Sequence, residues 1–204
     1  MNTGLKLMFF FVRKLTGIVI VILLIILATF IAYDMANIYV VANDGLTQRA
    51  ETIINRQDPT DLNRFFTLKY LNSDSLFYSD QYRDYLITGY DYELKIKKLW
   101  VWPWQSRTEV IVEEYIPEPS WKFSITDELR ERLIAEQTPK VTEAEGDEEG
   151  TEGTEEAVKE VSLNIPAPKW QNGEKMIEFR KIDGQWKIDR IVFVKGLNQD
   201  ISKK

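Results

Sequence analysis

The feature that most limits this chain is Leu15 to Tyr33, LTGIVIVILLIILATFIAY, nineteen residues without a charge. At ~1.5 Å per residue such a run spans roughly 28 Å, close to the hydrocarbon thickness of a bilayer. A chain that carries it is tied to a membrane, and whatever folds after it folds on one side. Lys6, Arg13 and Lys14 precede the run, and Asp34 and Asp44 follow it. Basic flanks stay cytoplasmic. The expected topology is a cytoplasmic N-terminus at 1–14, a transmembrane helix at 15–33 and a juxtamembrane helix at 34–44. The C-terminal domain then lies outside a single-pass cell-membrane anchor. A cleaved signal peptide is the rival reading. It has a shorter apolar region and a small-x-small site, to which Ala32-Tyr33-Asp34-Met35-Ala36 conforms poorly. With no cysteine in the chain, a lipoprotein anchor is excluded.

Cysteine and histidine are both absent. That removes disulfides, thiol nucleophiles and thiolate metal sites, together with the commonest general base and zinc ligand. An exported domain of this kind must hold by packing, and no cofactor or metal is expected. The net charge of −6 argues against nucleic-acid binding, which needs clustered Lys and Arg. Much of the acidity sits in residues 138–160, which hold nine acidic residues, three glycines and no aromatic. That composition cannot bury enough apolar surface to offset ordering, so 138–159 reads as an acidic disordered excursion. Calcium is the functional alternative, but the twelve-residue loop pattern is missing.

The remaining segments, 45–137 and 160–195, suit one α+β domain, with a polar tail at 196–204. Asn43-Asp44-Gly45 signals a break. Leu46, Ala50, Ile53 and Ile54 then recur at helical spacing. Asp58 and Pro59 suit the start of a second helix, TDLNRFFTLKYL, with Leu62, Phe65, Phe66 and Tyr70 on one side. From Tyr90 the period changes to two. Tyr90, Tyr92, Leu94, Ile96, Trp100, Trp102 and Trp104 share a parity, which predicts a long strand with a bend near Lys98 and an end at Pro103. Arg107–Ile116 returns, Trp121–Ile125 is a short strand, and Asp127–Gln137 is a helix. Glu174–Ile182 and Gln185–Val194 flank Asp183-Gly184, a type I′ turn signal. The parity slip between Ile188 and Ile191 predicts a bulge near Asp189-Arg190.

Three stretches together carry a resemblance: ETIINRQDPTDLNRFF, the strand Tyr90–Trp104, and the closing KIDGQWKIDRIVF. They resemble the nuclear transport factor two-like superfamily, whose domains pack helices on a curved antiparallel sheet to form a cone. That resemblance implies a fold shared by enzymes, ligand binders and assembly domains. Its isomerase and dehydratase members place Asp, Tyr or His inside the cone; here no catalytic residue matches. A short cytoplasmic N-terminus, one membrane helix and one exported cone domain is also similar to scaffold proteins of conjugation and type IV secretion machines.

The expected role is therefore non-enzymatic binding or assembly at the outer face of a cell envelope. Tyr90, Tyr92, Trp100, Trp102 and Trp104 are the candidate ligand- or partner-binding residues, with filling of the core as the leading alternative for the indoles. The expected partners are the bilayer through 15–33, a protein partner or a second copy, and a small apolar ligand. Scaffold subunit, and cone-pocket isomerase or hydrolase, are the alternatives. The enzyme reading predicts a buried carboxylate beside a tyrosine in an open cavity, with Asp80, Asp84 and Asp91 as the nearest acids. Lys95, Lys97 and Lys98 read as an exposed face that discourages edge pairing, or as a contact to anionic lipid or wall polymer near the membrane.

Overall fold

The structure is a computed structural model that describes residues 3–137 and 165–197. The acidic excursion and nearly all of the tail lie outside the described residues. The chain is mixed α+β, with a long apolar N-terminal helix and antiparallel sheets.

An uninterrupted series of helix-compatible residues makes the first element. Helix α1 runs Thr3–Ile54 and holds 52 residues, about 78 Å at the usual rise. Side chains from Phe10 to Ile26 are exposed within the chain. Among the described residues α1 alone is long and apolar enough to cross a membrane. From Asp34 onward one stripe of the same helix is buried, through Ile38, Ala42, Gly45, Leu46, Arg49, Ala50 and Ile53. That is the three- and four-residue spacing of a packed helix face. The expected break at Asn43-Asp44-Gly45 does not occur. Gly45 provides room instead: a β-carbon there would stand 3.0 Å from Phe65 Cβ and 3.3 Å from Ile188 Cδ1.

The single helix expected after Asp58 is divided. Asp58 accepts from the Thr60 N–H at 2.9 Å and caps a 3₁₀ turn, Pro59–Arg64. The chain then extends, and helix α2 follows at Leu68–Ser73. Pairing with a strand edge overrides helical periodicity here. The Ile188 N–H donates to Phe65 O at 2.7 Å, and the Thr67 N–H donates to Ile188 O at 2.9 Å. Thr67 Oγ1 then accepts from the Tyr70 N–H and caps α2. A short 3₁₀ turn, Ser75–Tyr78, closes the segment.

In chain order the strands are β1 Tyr85–Gly89, β2 Glu93–Lys98, β3 Arg107–Tyr115, β4 Lys122–Ile125, β5 Gly173–Ile182 and β6 Gln185–Gly196. They form two sheets in two compact units. The larger unit takes the chain up to Ser79, Tyr92–Ile116 and the residues from Trp170. Its sheet has the order β2-β3-β5-β6, antiparallel throughout. Val110, Val112, Ile177, Phe179, Trp186 and Ile188 form one core with Ile38, Ala42 and Leu46 of α1. Asp183 and Gly184 have φ of 50° and 80°, as a type I′ turn requires. Glu178 pairs with Arg190 and Phe179 with Ile188, which leaves Asp189 as the expected bulge.

The long strand expected over Tyr90–Trp104 is shorter than its parity implied. The register shifts between Ile96 and Lys98, β2 ends there, and residues 99–104 leave the sheet. In that run it is Val101 that is fully buried, with Leu99 against the core. A one-residue slip exchanges the two faces of a strand, so the three indoles turn outward.

The smaller unit comprises Asp80–Asp91 and Pro117–Lys169. Its β1 pairs with β4, and α3, Asp127–Gln137, follows with Thr126 Oγ1 accepting from the Leu129 N–H. Tyr82 and Tyr90 both lie against Trp121, with ring centroids 6.2 and 5.4 Å from it. Strand β1 was not foreseen.

Candidate functional site

Charged residues on three core-facing elements meet inside the larger unit. The stripe on α1 carries Arg49 inward until it is 3% exposed. Its Nε and Nη2 donate to Asp74 Oδ2 at 2.9 and 2.7 Å. The Tyr70 hydroxyl donates to the same oxygen at 2.6 Å, and Asp74 Oδ1 accepts from the Leu76 N–H at 3.1 Å. Alternation in the sheet supplies the other half. Glu114 shares a face with Val110 and Val112, and Lys175 is register partner to Val112. Both are buried and form an ion pair. The Tyr92 hydroxyl donates to Glu114 Oε1 at 2.8 Å, and Lys175 Nζ stands 5.3 Å over the Trp170 ring.

The electrostatics of these groups are coupled. Burial alone would lower the Arg49 pKa, but Tyr70, Asp74 and Glu114 outweigh it and hold the guanidinium above its ordinary value. Burial pushes the Asp74 carboxyl up, yet Arg49 and the hydrogen bonds it receives prevail and leave it below the usual carboxylate range. Tyr70 is pushed up, first by burial and then by Asp74, against the pull of Arg49. Burial pushes the Lys175 ammonium down; Glu114 opposes this and Arg49 reinforces it.

A cavity of about 730 Å³ opens over this network. Its buried lining includes Arg49, Tyr70 and Lys175, and its exposed lining includes Lys69, Arg107, Arg180 and Arg190. Six lining residues are cationic and three, Asp74, Glu178 and Asp189, are anionic. Two further features mark an excess of positive charge. Arg107 and Arg180 are direct register partners, and Arg180 is paired in turn with Lys187. Like charges set opposite each other on a sheet repel. Lys187 is turned to Asn63 O at 2.6 Å. In addition, Arg49 Nη1 is buried without a hydrogen-bond partner, an unusual state for such a donor.

As a chemical device the network suits holding an anion better than moving a proton. A carboxylate beside a tyrosine in an open cavity is the arrangement expected of a cone-pocket enzyme, and Asp74 with Tyr70 supplies it. Asp74, however, is kept ionised and both its oxygens are occupied. Tyr70 is harder to deprotonate than a free phenol. Neither is poised near neutral pH, as general acid–base work needs. Among the described residues no group of three or more carboxylates is placed to hold a metal ion.

Of the residues singled out from sequence, Tyr92 joins the network through Glu114 and the others fall elsewhere. Trp100, Trp102 and Trp104 are brought together, with ring centroids 5.4 and 5.1 Å apart along the run. They are 50, 37 and 70% exposed, which corrects the reading of them as core. Tyr92 is tied to Glu114, and Tyr90 belongs to the smaller unit beside Trp121. Lys97 is held by Glu113 and Glu174, each at 2.6 Å, and those bonds raise its pKa. Asp84 pairs with Arg132 at 2.7 Å. The residues that sequence reasoning missed, Arg49, Asp74, Glu114 and Lys175, did leave a signal in three cases. Arg49, Glu114 and Lys175 each put a charge at a position whose periodicity says core. Searches against protein-family models, curated proteins and solved structures found no match.

Proposed function

We propose that this protein is a membrane-anchored, non-enzymatic binding module of a bacterial cell envelope. Its extracytoplasmic domain receives an anionic group, a carboxylate or phosphate, in the cavity over Arg49. The observation that carries this reading is a cavity lining with six cations to three anions, in which Arg107 and Arg180 are direct register partners. A bound anion would relieve their opposition. The anchor supports an envelope location, with basic residues before the span and the domain after it. A helical rod on an antiparallel sheet is the coarse arrangement that cone domains share. That likeness supports a binding role without selecting a ligand.

The test uses the full chain in phosphatidylcholine nanodiscs, titrated calorimetrically with pyrophosphate and with citrate. Saturable binding that weakens as salt rises is expected. The R107Q/R180Q variant should bind at least tenfold more weakly. No saturable heat with either probe, or equal binding by the variant, would refute the proposal.

A further inference from the structure

The three exposed indoles are linked to one point on α1. Val101 and Leu99 clip the run 99–104 into the core. The loop is closed by its own bonds: the Trp102 N–H donates to Gln105 Oε1 and the Gln105 N–H donates to Trp102 O, each at 2.9 Å. Thr108 Oγ1 donates to Trp100 O at 3.2 Å. A loop so held cannot fold its rings inward without losing Val101.

The second residue after Trp104 fixes the loop's place. Ser106 O accepts from the Lys181 N–H at 2.8 Å. The Lys181 ammonium donates to both carboxylate oxygens of Asp34, at 2.9 and 3.2 Å, and Trp186 Nε1 donates to Asp34 Oδ1 at 3.0 Å. Asp34 is the first charged residue after the apolar run. Two hydrogen-bonded steps therefore link the indole loop to the point where α1 leaves its uncharged stretch. Leu27 and Ile31, inside that stretch, are already half-buried, so packing against α1 begins before Asp34.

We infer that the loop Trp100–Trp104 docks in the headgroup layer of the same bilayer that α1 spans, as a second attachment of the domain. Indoles favour that layer because they pair a large apolar ring with one N–H donor. A fold that presents three of them beside the end of its own span places them where the layer already is. A second copy of the chain or a glycan would have to displace lipid to reach them. The inference rests on the membrane-anchoring part of the proposed function and is independent of the anion cavity.

The chain has no cysteine, so single nitroxide labels can be placed without background. Labels at I22C, Q57C, W104C and S106C are compared in the full chain in phosphatidylcholine nanodiscs. Collisions with oxygen report lipid, and collisions with a neutral nickel chelate report water. Oxygen should dominate at 22 and nickel at 57, and the oxygen-to-nickel ratio at 104 and 106 should fall between those two, as the hydrated headgroup layer requires. A ratio at 104 and 106 equal to that at 57, with oxygen dominance at 22, would overturn the docked loop while leaving the anchor standing. Nickel dominance at 22 as well would overturn both. Loss of both collision partners at 104 and 106 would mean a protein contact, and would also overturn the inference.

Discussion

Asp74→Asn is the substitution that asks most of the buried network. Asp74 Oδ2 receives three donors, from Arg49 Nε, Arg49 Nη2 and the Tyr70 hydroxyl, while Oδ1 receives the Leu76 N–H. An amide has one acceptor oxygen. Facing Arg49 with it turns the amide nitrogen toward the Leu76 N–H. Facing Leu76 turns the nitrogen toward Arg49 and Tyr70. Either way buried donors go unmet, and Glu114 is left as the network's one carboxylate against Arg49 and Lys175. Removing one partner of a buried pair costs about 3–5 kcal/mol. At ~2–4 °C per kcal/mol for a chain of this size, that lowers Tm by roughly 6–20 °C. Near-UV circular dichroism of the full chain in detergent micelles at pH 7 would read it. The pH dependence gives an independent check. The Asp74 pKa is depressed in the folded state. Its stabilising contribution is therefore complete above the unfolded value of about 3.9, and is lost as pH falls through the lower folded value. The gap between wild type and variant should narrow below about pH 4. A Tm within about 2 °C of wild type at pH 7, or a gap that persists in acid, would refute the account of the network.

Two further substitutions probe how α1 is held. Gly45→Val adds carbon against Phe65 Cβ, which a β-carbon would already meet at 3.0 Å; it should destabilise by about 1–3 kcal/mol in urea unfolding. Trp186→Phe removes the indole donor to the buried Asp34, which should cost about 1–3 kcal/mol and speed amide hydrogen exchange in β5 and β6.

What could be read from sequence, and what could not, follows from the range of each interaction. The I′ hairpin, the bulge at Asp189, the helix at Asp127–Gln137 and the cap at Asp58 depend on neighbours within a few residues, and sequence contains those neighbours. The division at Phe65–Thr67 depends on Ile188, more than a hundred residues away. Helical periodicity there was real, but a strand edge competed for the same backbone. The break expected at Gly45 failed for a similar reason: a glycine needed for close approach looks the same as one needed for a turn. The core reading of the indoles fails because a single shift after Ile96 inverts the faces of everything beyond it. The charged site was the most legible of the missed features. An ionisable residue on a core parity is either an error of register or half of a buried pair. Arg49, Glu114 and Lys175 are three such cases, and Asp74 supplies the remaining partner.

The continuity of α1 also limits how far lipid can act on the cavity. Asp34 and Arg49 lie on one buried stripe of an unbroken helix, fifteen residues and about 22 Å apart along its axis. With no hinge at Gly45 and with Asp34 clamped by Lys181 and Trp186, that distance is set by the rod. If Asp34 marks the bilayer surface, Arg49 stands more than two screening lengths from the headgroups, since the Debye length is about 8 Å at physiological salt. Arg107 and Arg180, next in the chain to Ser106 and Lys181, instead lie close to the level of Asp34. Lipid phosphates of the same membrane then act on the rim of the cavity but not on Arg49. Exchanging phosphatidylcholine for a one-third phosphatidylglycerol mixture in the nanodiscs should therefore weaken pyrophosphate binding, and the loss should shrink as salt rises. Affinity that does not respond to lipid charge at low salt would place Arg107 and Arg180 beyond the screening length and refute this placement.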